Sequence, residues 1–399
     1  MMSFRRPSMF PVLALGILLT GVGSPRSATA EDELSGGLRQ LWVYVGTYSF
    51  GASKGIYLCR LDLASGKLES EGLVAESANP TFLAHHPSRP VLYALNEIAK
   101  FDGKPVGSVS ALRIEPRTGK LTLLNRQSSG GPGPCHLAVD SSGRCVLVAN
   151  YLGGSVACLP IAADGRLDEP TSIIRHAGFS VNKKRQEGPH AHCIMLDAAN
   201  RIALAADLGI DKIMIYRFDA RGAAITANEP AWFDAAPGAG PRHVAFHPNG
   251  RYVYVINELN STVTALRYDA ARGTLETLQN ISTLPEGFTS PNTAAEVQID
   301  RSGKFLYGSN RGHNSLATFA VDPATGRLTA LGHESTRGKS PRHFAIDPTG
   351  RWLLAANQDS NNVVVYRIDA ASGRPQPVGP SVSVPAPVCI EMLRPVDGP

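Results

Sequence analysis

Two histidines stand two residues apart in "RQEGPHAHC", the stretch from Arg185 to Cys193. An imidazole can accept a proton from water near neutral pH or bind a metal ion. Residues two apart in an extended chain face the same side, so His190 and His192 could meet one ligand together. A zinc site would need at least one more convergent ligand. Glu258 could supply it, but no spacing in the chain demands it, and neither a metal nor a cofactor is expected. Further reactive types follow downstream: Arg242 and His243 in "GPRH", Glu258 in "INEL", Glu296 in "AAEVQID", Arg311 and His313 in "SNRGH", and Arg342 and His343 in "SPRH". Arginines gathered at one cavity need an anion, or Glu258 and Glu296, to offset them. Guanidinium is also the planar fork that matches a carboxylate or phosphate. The chemistry these types could perform is attack of water on a carbonyl, with an imidazole or carboxylate taking the proton and a guanidinium facing the developing oxyanion.

These residues are placed by an internal repeat. "GPRHVAFHPNGRYVYVINELNSTVTALRYDAARGTLETL" from Gly240 matches "SPRHFAIDPTGRWLLAANQDSNNVVVYRIDAASGRPQPV" from Ser340 almost position by position. A third copy starts at Thr293 and weaker copies start at Gly133, His190 and Asn79, roughly fifty residues apart, which is within the range of propeller blades. Each copy reads as four short β-rich runs separated by Gly, Pro or Asn turns. The segment from Leu41 resembles strands two to four without a first, and "APVCIEMLR" near the C-terminus resembles a first strand alone. Joined, they complete a blade and leave no unpaired edge. The prediction is an all-β, seven-bladed β-propeller closed by N- and C-terminal strands that share one blade.

In such a ring the first strands line the central channel, and their starts share one mouth with the ends of the second strands. Phe82, His136, Cys193, His243, Glu296 and His343 occupy one column of the repeat. Fourteen residues on stand Asn96, Asn150, Asp207, Asn257, Asn310 and Asn357, a regularity expected of turn-forming side chains. Structural demands recur in every blade, whereas a substrate site breaks the symmetry. The Arg, His and Glu residues that break it fall in four consecutive repeats, and so should gather on one side of the mouth.

The ends and the composition narrow the function. Arg5 and Arg6, the apolar "MFPVLALGILLTGVG" and the small-x-small Ala28-Thr29-Ala30 read as an export signal over residues 1–30. The expected mature domain is 31–399, periplasmic or extracellular, with no membrane association once the signal is cleaved. Removing Arg5, Arg6 and Arg26 from the 39 basic residues leaves 36 against 34 acidic ones, which gives no reason to invoke nucleic acid. The basic run "NKKRQ" reads as solvated loop. Of the six cysteines none forms a CxxC pair. Cys145 and Cys158 flank a predicted hairpin, and the sequence leaves open whether they pair.

"RQEGPHAH", "GPRHVAFHPNGRYVYVINEL", "AAEVQID" with "FLYGSNRGHNS", and "SPRHFAIDPTGRWLLAANQ" together resemble the bacterial lactonase family. It includes the cycloisomerase-type 6-phosphogluconolactonases and is related to the fungal carboxy-muconate lactonizing enzymes. The resemblance spans nearly the whole mature chain and implies a seven-bladed propeller acting on a lactone ring, a carboxylic ester hydrolase of carbohydrate metabolism. It also implies catalytic roles for His190, His192, Arg242 and Glu258 and a substrate-binding role for Arg311. The symmetry reasoning adds His243 and Arg342 to the substrate-binding set. The expected partner is a small anionic lactone or its hydroxy-acid. Guanidiniums nearby should lower the Glu258 pKa and weaken it as a base, which favours a histidine as proton acceptor. An export signal is at odds with a phosphorylated sugar lactone, a cytoplasmic metabolite. A muconate-type cycloisomerase would use the same residues, and a non-enzymatic propeller binding module is the third reading.

Overall fold

The computed structural model describes residues 1–3 and 39–395. The expected export signal, apart from Met1–Ser3, lies outside them. Twenty-eight strands form seven four-stranded antiparallel sheets. Six are contiguous in sequence and begin with the inner strands Leu83–His85, Pro134–Val139, Ala191–Leu196, Pro241–Phe246, Thr293–Ile299 and Pro341–Ile346; they are called blades one to six. In blade seven the inner strand Pro387–Leu393 pairs with Gln40–Thr47, so the two ends of the chain close the ring.

The sequence pattern of each strand follows its depth. Second strands such as Val91–Asn96, Cys145–Asn150, Ile202–Asp207, Tyr252–Asn257 and Trp352–Asn357 are buried at every position, because a neighbouring blade covers each face of the sheet. They therefore read as continuous apolar runs rather than alternating ones. Fourth strands lie at the rim, and Thr274–Ser282 has no fully buried position. Blades are also clasped by hydrogen bonds. The second-strand tyrosines Tyr44, Tyr93, Tyr254 and Tyr307 donate to the carbonyls of Gly119, Gly165, Gly326 and Gly373 in the adjacent blade, at 2.7, 3.0, 3.1 and 2.7 Å.

The aspartate that follows an inner strand ties its turn: Asp347 Oδ1 accepts the amides of Arg351 and Trp352 at 2.9 and 2.7 Å. In blades one and four the same place is held by His86 and His247. Each accepts a turn amide at Nδ1 and donates from Nε2 to the next blade, to Gly143 O at 3.0 Å and Gly303 O at 3.1 Å. These histidines are structural. The Asn column is structural too; Asp207 caps its own turn, accepting the Gly209 amide at 3.0 Å, whereas three of the asparagines bond elsewhere. Asn150, Asn310 and Asn357 donate to the carbonyls of Ser129, Thr283 and Thr336, at 3.0, 2.6 and 2.9 Å. They thus anchor the segment that enters the blade. All six cysteines are buried free thiols, Cys145 and Cys158 included.

Two features of the inner strands prepare a site. Their first residues follow a tight turn: Gly240 adopts φ +64° and Ser340 φ +55°. A Cβ on Gly240 would lie 2.5 Å from Leu259. The Gly240 carbonyl accepts the Glu258 amide at 2.7 Å, so the turn fixes the residue after the Asn column. Beyond the turn, the register slips between Pro134 and His136, Ala191 and Cys193, Pro241 and His243, and Pro341 and His343. A bulge breaks strict alternation and re-aims a side chain, which lets consecutive residues, Arg242 and His243 or Arg342 and His343, line the channel together.

Candidate functional site

Phe82, His136, Cys193, His243, Glu296, His343 and Cys389 come one from each blade, Phe82 immediately before its inner strand and the other six within theirs, and line the channel together. The rings are packed against one another: Phe82 to His136 at 4.2 Å between centroids, His136 to His243 at 5.1 Å, Phe82 to His343 at 5.6 Å. On the side where the inner strands end, a chamber of about 610 Å³ opens. On the side where they begin, a small polar cavity of about 10 Å³, on the scale of one water molecule, lies among Thr81, Cys135, His192, Arg242, His243 and Arg342.

Glu258 is the hub on that side. It is 4 % exposed, and its carboxylate meets three guanidiniums: Oε2 receives Arg242 Nε at 3.0 Å and Arg311 Nη2 at 2.8 Å, and Oε1 receives Arg185 Nη2 at 2.7 Å. Arg242 also donates to Ala295 O at 2.6 Å and Arg311 to Ala294 O at 3.1 Å, so both are oriented by backbone as well as by charge. Burial would raise the Glu258 pKa, but Arg311 and Arg242, with His192 and Arg185, hold it well below the ordinary carboxylate value. It is ionised. Arg242, 2 % exposed, is pulled down to about 10 by burial and by Arg311 and Arg342, and stays charged at neutral pH.

Arg342 differs from its neighbours. Among the described residues no carboxylate lies within ion-pair distance of it; its guanidinium lies 5.4 Å from the centroid of the Tyr48 ring. Tyr48 in turn donates to Glu97 at 3.1 Å, and burial pushes its phenol up to about 12. Burial lowers the Arg342 pKa, but Tyr48, Glu97 and Glu258 raise it further, and the guanidinium remains a cation.

The two opening histidines are placed near one another but differently. His190 stacks on Tyr151 at 4.5 Å, and both its ring nitrogens are engaged, Nδ1 with Tyr151 O at 3.1 Å and Nε2 with Glu187 at 3.2 Å. His192 stands edge-on to Tyr151 at 5.5 Å and to His243 at 5.2 Å, and its buried Nδ1 has no partner. His243 gives Nδ1 to Glu296 Oε2 at 2.8 Å, while its buried Nε2 has none. Burial, with Arg242 adding, holds the pKa of both His192 and His243 well below the ordinary imidazole value. His136 and His343 are lowered to about 3 by burial. Glu296, 5 % exposed, is driven up to about 8 by burial despite Arg242. Among the described residues no three His, Cys, Asp or Glu side chains are grouped to hold a metal ion.

The structure thus joins Arg242, Glu258 and Arg311 directly, sets His192, His243 and Arg342 around the adjoining cavity, and leaves His190 as a support for Tyr151. Several contributors were not assigned from sequence. Arg185 belongs to the basic run read as solvated loop. Lys183 and Lys184 are exposed there, but Gln186 is buried and donates to Leu208 O at 2.9 Å, and this anchor delivers Arg185 to Glu258. The Gln after Arg185, wedged between charged residues, is the signal that could have separated the two behaviours. Glu97 and Tyr151 directly follow Asn96 and Asn150, as Glu258 follows Asn257, and Tyr48 follows the second strand of blade seven, so the repeat position after the Asn column is the signal that could have found them.

Comparison with known proteins gives the same architecture a family. Residues 42–392 match the family described as "Lactonase, 7-bladed beta-propeller". The 6-phosphogluconolactonase of Bacillus subtilis (strain 168) is 39 % identical over 353 residues, which are 88 % of this chain and 98 % of that protein. The solved structure titled periplasmic gluconolactonase, PpgL, from Pseudomonas aeruginosa is 33 % identical with a TM-score of 0.83, covering 89 % of this chain and 99 % of that one. The 6-phosphogluconolactonase of Pectobacterium carotovorum is 37 % identical over 257 residues, 64 % of this chain and 73 % of that protein.

Proposed function

The chain belongs to the seven-bladed lactonase family, and on that premise we propose that it is a 6-phosphogluconolactonase-like lactonase that opens a sugar-type lactone at the channel end where the inner strands begin. The observation that carries this reading is the charge balance there. Arg185, Arg242 and Arg311 share the single carboxylate of Glu258 as their ion-pair partner, and among the described residues Arg342 has no carboxylate within ion-pair distance. A substrate carboxylate or phosphate supplies the missing anion, and a guanidinium fork binds it in two places.

Water attacks the ring carbonyl beside the cavity. Negative charge grows on the carbonyl oxygen, and Arg242 faces it from a position already set by Glu258 and Ala295 O, so little reorganisation is needed. Glu258 holds the guanidiniums and is too acidic to be an effective base. The proton goes to one of the two imidazoles that line the cavity and keep a buried ring nitrogen without a partner, His192 or His243. The ring C–O bond breaks, the proton passes to the departing alkoxide, and a hydroxy-acid leaves.

Export of the chain by residues 1–30 belongs to this proposal, supported by its similarity to the periplasmic gluconolactonase of Pseudomonas aeruginosa. An exported enzyme meets unphosphorylated lactones, for which the anion at Arg342 is a carboxylate carried by the lactone itself or formed in its hydroxy-acid product. Purified protein is assayed with gluconolactone, 6-phosphogluconolactone and a carboxy-muconate side by side. Ring opening of a lactone is expected. Cyclisation of the muconate with no lactone hydrolysis would replace this reading, as would wild-type rates in both His192→Ala and Glu258→Ala.

A further inference from the structure

Glu296 takes no part in the arginine cluster, and its surroundings are unlike those of Glu258. Its own strand, Thr293–Ile299, bulges between Ala294 and Val297, and its amide is bound by Ser309 Oγ at 3.0 Å. The backbone is therefore held on both sides of a buried carboxyl group that lines the channel. From the inner strand of blade four, His243 Nδ1 reaches Glu296 Oε2 at 2.8 Å. From blade six, His343 Nε2 lies 3.5 Å from the same oxygen.

The tautomers follow from the backbone. His343 Nδ1 accepts the Ile390 amide at 3.2 Å, so its proton sits on Nε2, the atom 3.5 Å from Glu296 Oε2. That oxygen is accordingly an acceptor. An acceptor oxygen facing His243 Nδ1 requires the His243 proton to be on Nδ1 as well, which leaves the Nε2 lone pair free. Nε2 is buried, has no partner, and His243 lines the small cavity beside Arg342 and His192. No corresponding carboxylate holds His192 among the described residues.

We propose that Glu296 is the positioning residue of the hydrolytic proton transfer: it fixes His243, a cavity-lining residue, with Nε2 unprotonated and free of any partner, making His243, not His192, the imidazole that accepts the proton of the attacking water. This inference rests on the lactonase reading above. In the step, water's oxygen bonds to the carbonyl carbon as its proton moves to His243 Nε2. The imidazolium so formed is stabilised through Nδ1–H by the Glu296 carboxylate. The same proton then leaves Nε2 for the alkoxide oxygen as the ring C–O bond breaks. A carboxylate behind an imidazole does this in other hydrolases by fixing the tautomer and stabilising the cation, without itself receiving the proton.

The pH response is set by every group that faces Glu296: Arg242 and His243 from blade four, the Ser309 hydroxyl from the adjacent strand, His343 from blade six, its own Gln298, and the Cys193 and Cys389 thiols across the channel. Burial holds the carboxyl up to about 8. The ionised form, which best supports an imidazolium, accumulates as pH rises through that value.

The test combines kinetics with imidazole ¹⁵N NMR. Glu296→Gln is expected to lower kcat on the order of 10²-fold with little change in KM and to remove the rise in kcat through alkaline pH, while Glu296→Asp recovers part of both. In the wild type the His243 proton resides on Nδ1, and in Glu296→Leu it leaves that nitrogen. Wild-type kcat and an unchanged pH profile in Glu296→Gln overturn the proposal, and if Arg342→Met still impairs lactone hydrolysis, the lactonase reading survives that result. If the wild type opens no lactone, the lactonase reading fails instead. The NMR then decides the pairing alone: a His243 tautomer indifferent to Glu296→Leu overturns it.

Discussion

Two buried glutamates in neighbouring blades, Glu258 and Glu296, meet opposite fates. Both are nearly inaccessible, at 4 and 5 % exposure. Glu258 sits among Arg185, Arg242 and Arg311 and is driven well below the ordinary carboxylate range. Glu296 sits between two imidazoles, receives only the distant help of Arg242, and is pushed up to about 8. Burial acts on both in the same direction, so the difference is made by which charges lie within a few ångströms. One residue is a fixed anion that organises cations. The other is a group close to its own titration point, suited to support a proton in transit.

The comparison is broken most severely by Glu258→Gln. Arg242 and Arg311 would keep their charge without the carboxylate that both share, and leaving such charges buried costs about 3–5 kcal/mol. Urea unfolding should report a loss of that size, with lactone hydrolysis falling more than about 10²-fold. Next comes Arg342→Met, which removes the one guanidinium here that no carboxylate holds. KM should rise about 10- to 100-fold, the equivalent of about 1.5–3 kcal/mol of charge-assisted bonding, while the melting temperature stays near that of the wild type. Steady-state kinetics beside a thermal melt separates the two.

The pH dependence of stability sharpens the contrast. Glu258 has a folded pKa below its unfolded value, so its stabilisation is present above the unfolded pKa and is lost as pH falls. Glu296 has the reverse relation: between its ordinary value and about 8 the folded state binds the extra proton, and its contribution declines as pH rises through that window. Melting curves of Glu296→Gln and wild type from pH 5 to pH 9 should therefore diverge in favour of the variant as pH increases. A constant difference would mean that the Glu296 carboxyl is not raised. Arg185→Ala is expected to have the smallest effect. Its side chain is 39 % exposed, and a screened pair of this kind contributes no more than about 1 kcal/mol. A few-fold rise in KM with an unchanged unfolding midpoint would place Arg185 as an adjustable rim of the Glu258 cluster.

Much of this was legible before any coordinates. The fifty-residue period, the incomplete blade at each end and the fourteen-residue step from the inner-strand column to the Asn column identified a seven-bladed ring and its shared mouth. Departures from the repeat, Arg and His in "GPRH" and Glu in "INEL", pointed to Arg242, Glu258, Arg311 and Arg342, because a residue that every blade needs cannot single out one sector. Arg185 was hidden by its basic neighbours. The distinction between His190 and His192 was hidden by alternation, since spacing alone gives both the same face and says nothing of the bulge between Ala191 and Cys193. Glu296 was visible as a departure from the repeat, but its pairing with His243 spans 53 residues and two blades.

Sequence alone determined the number of blades, their closure and the sector that carries charge, because each depends on periodicity and on local patterns of apolar, turn-forming and ionisable residues. Tertiary structure alone decided which arginine makes no ion pair, which imidazole nitrogens are buried without a partner and that Glu296 is raised where Glu258 is lowered. These are properties of distances across the ring, where a shift of a few ångströms changes the balance between burial and charge, and no linear spacing encodes that.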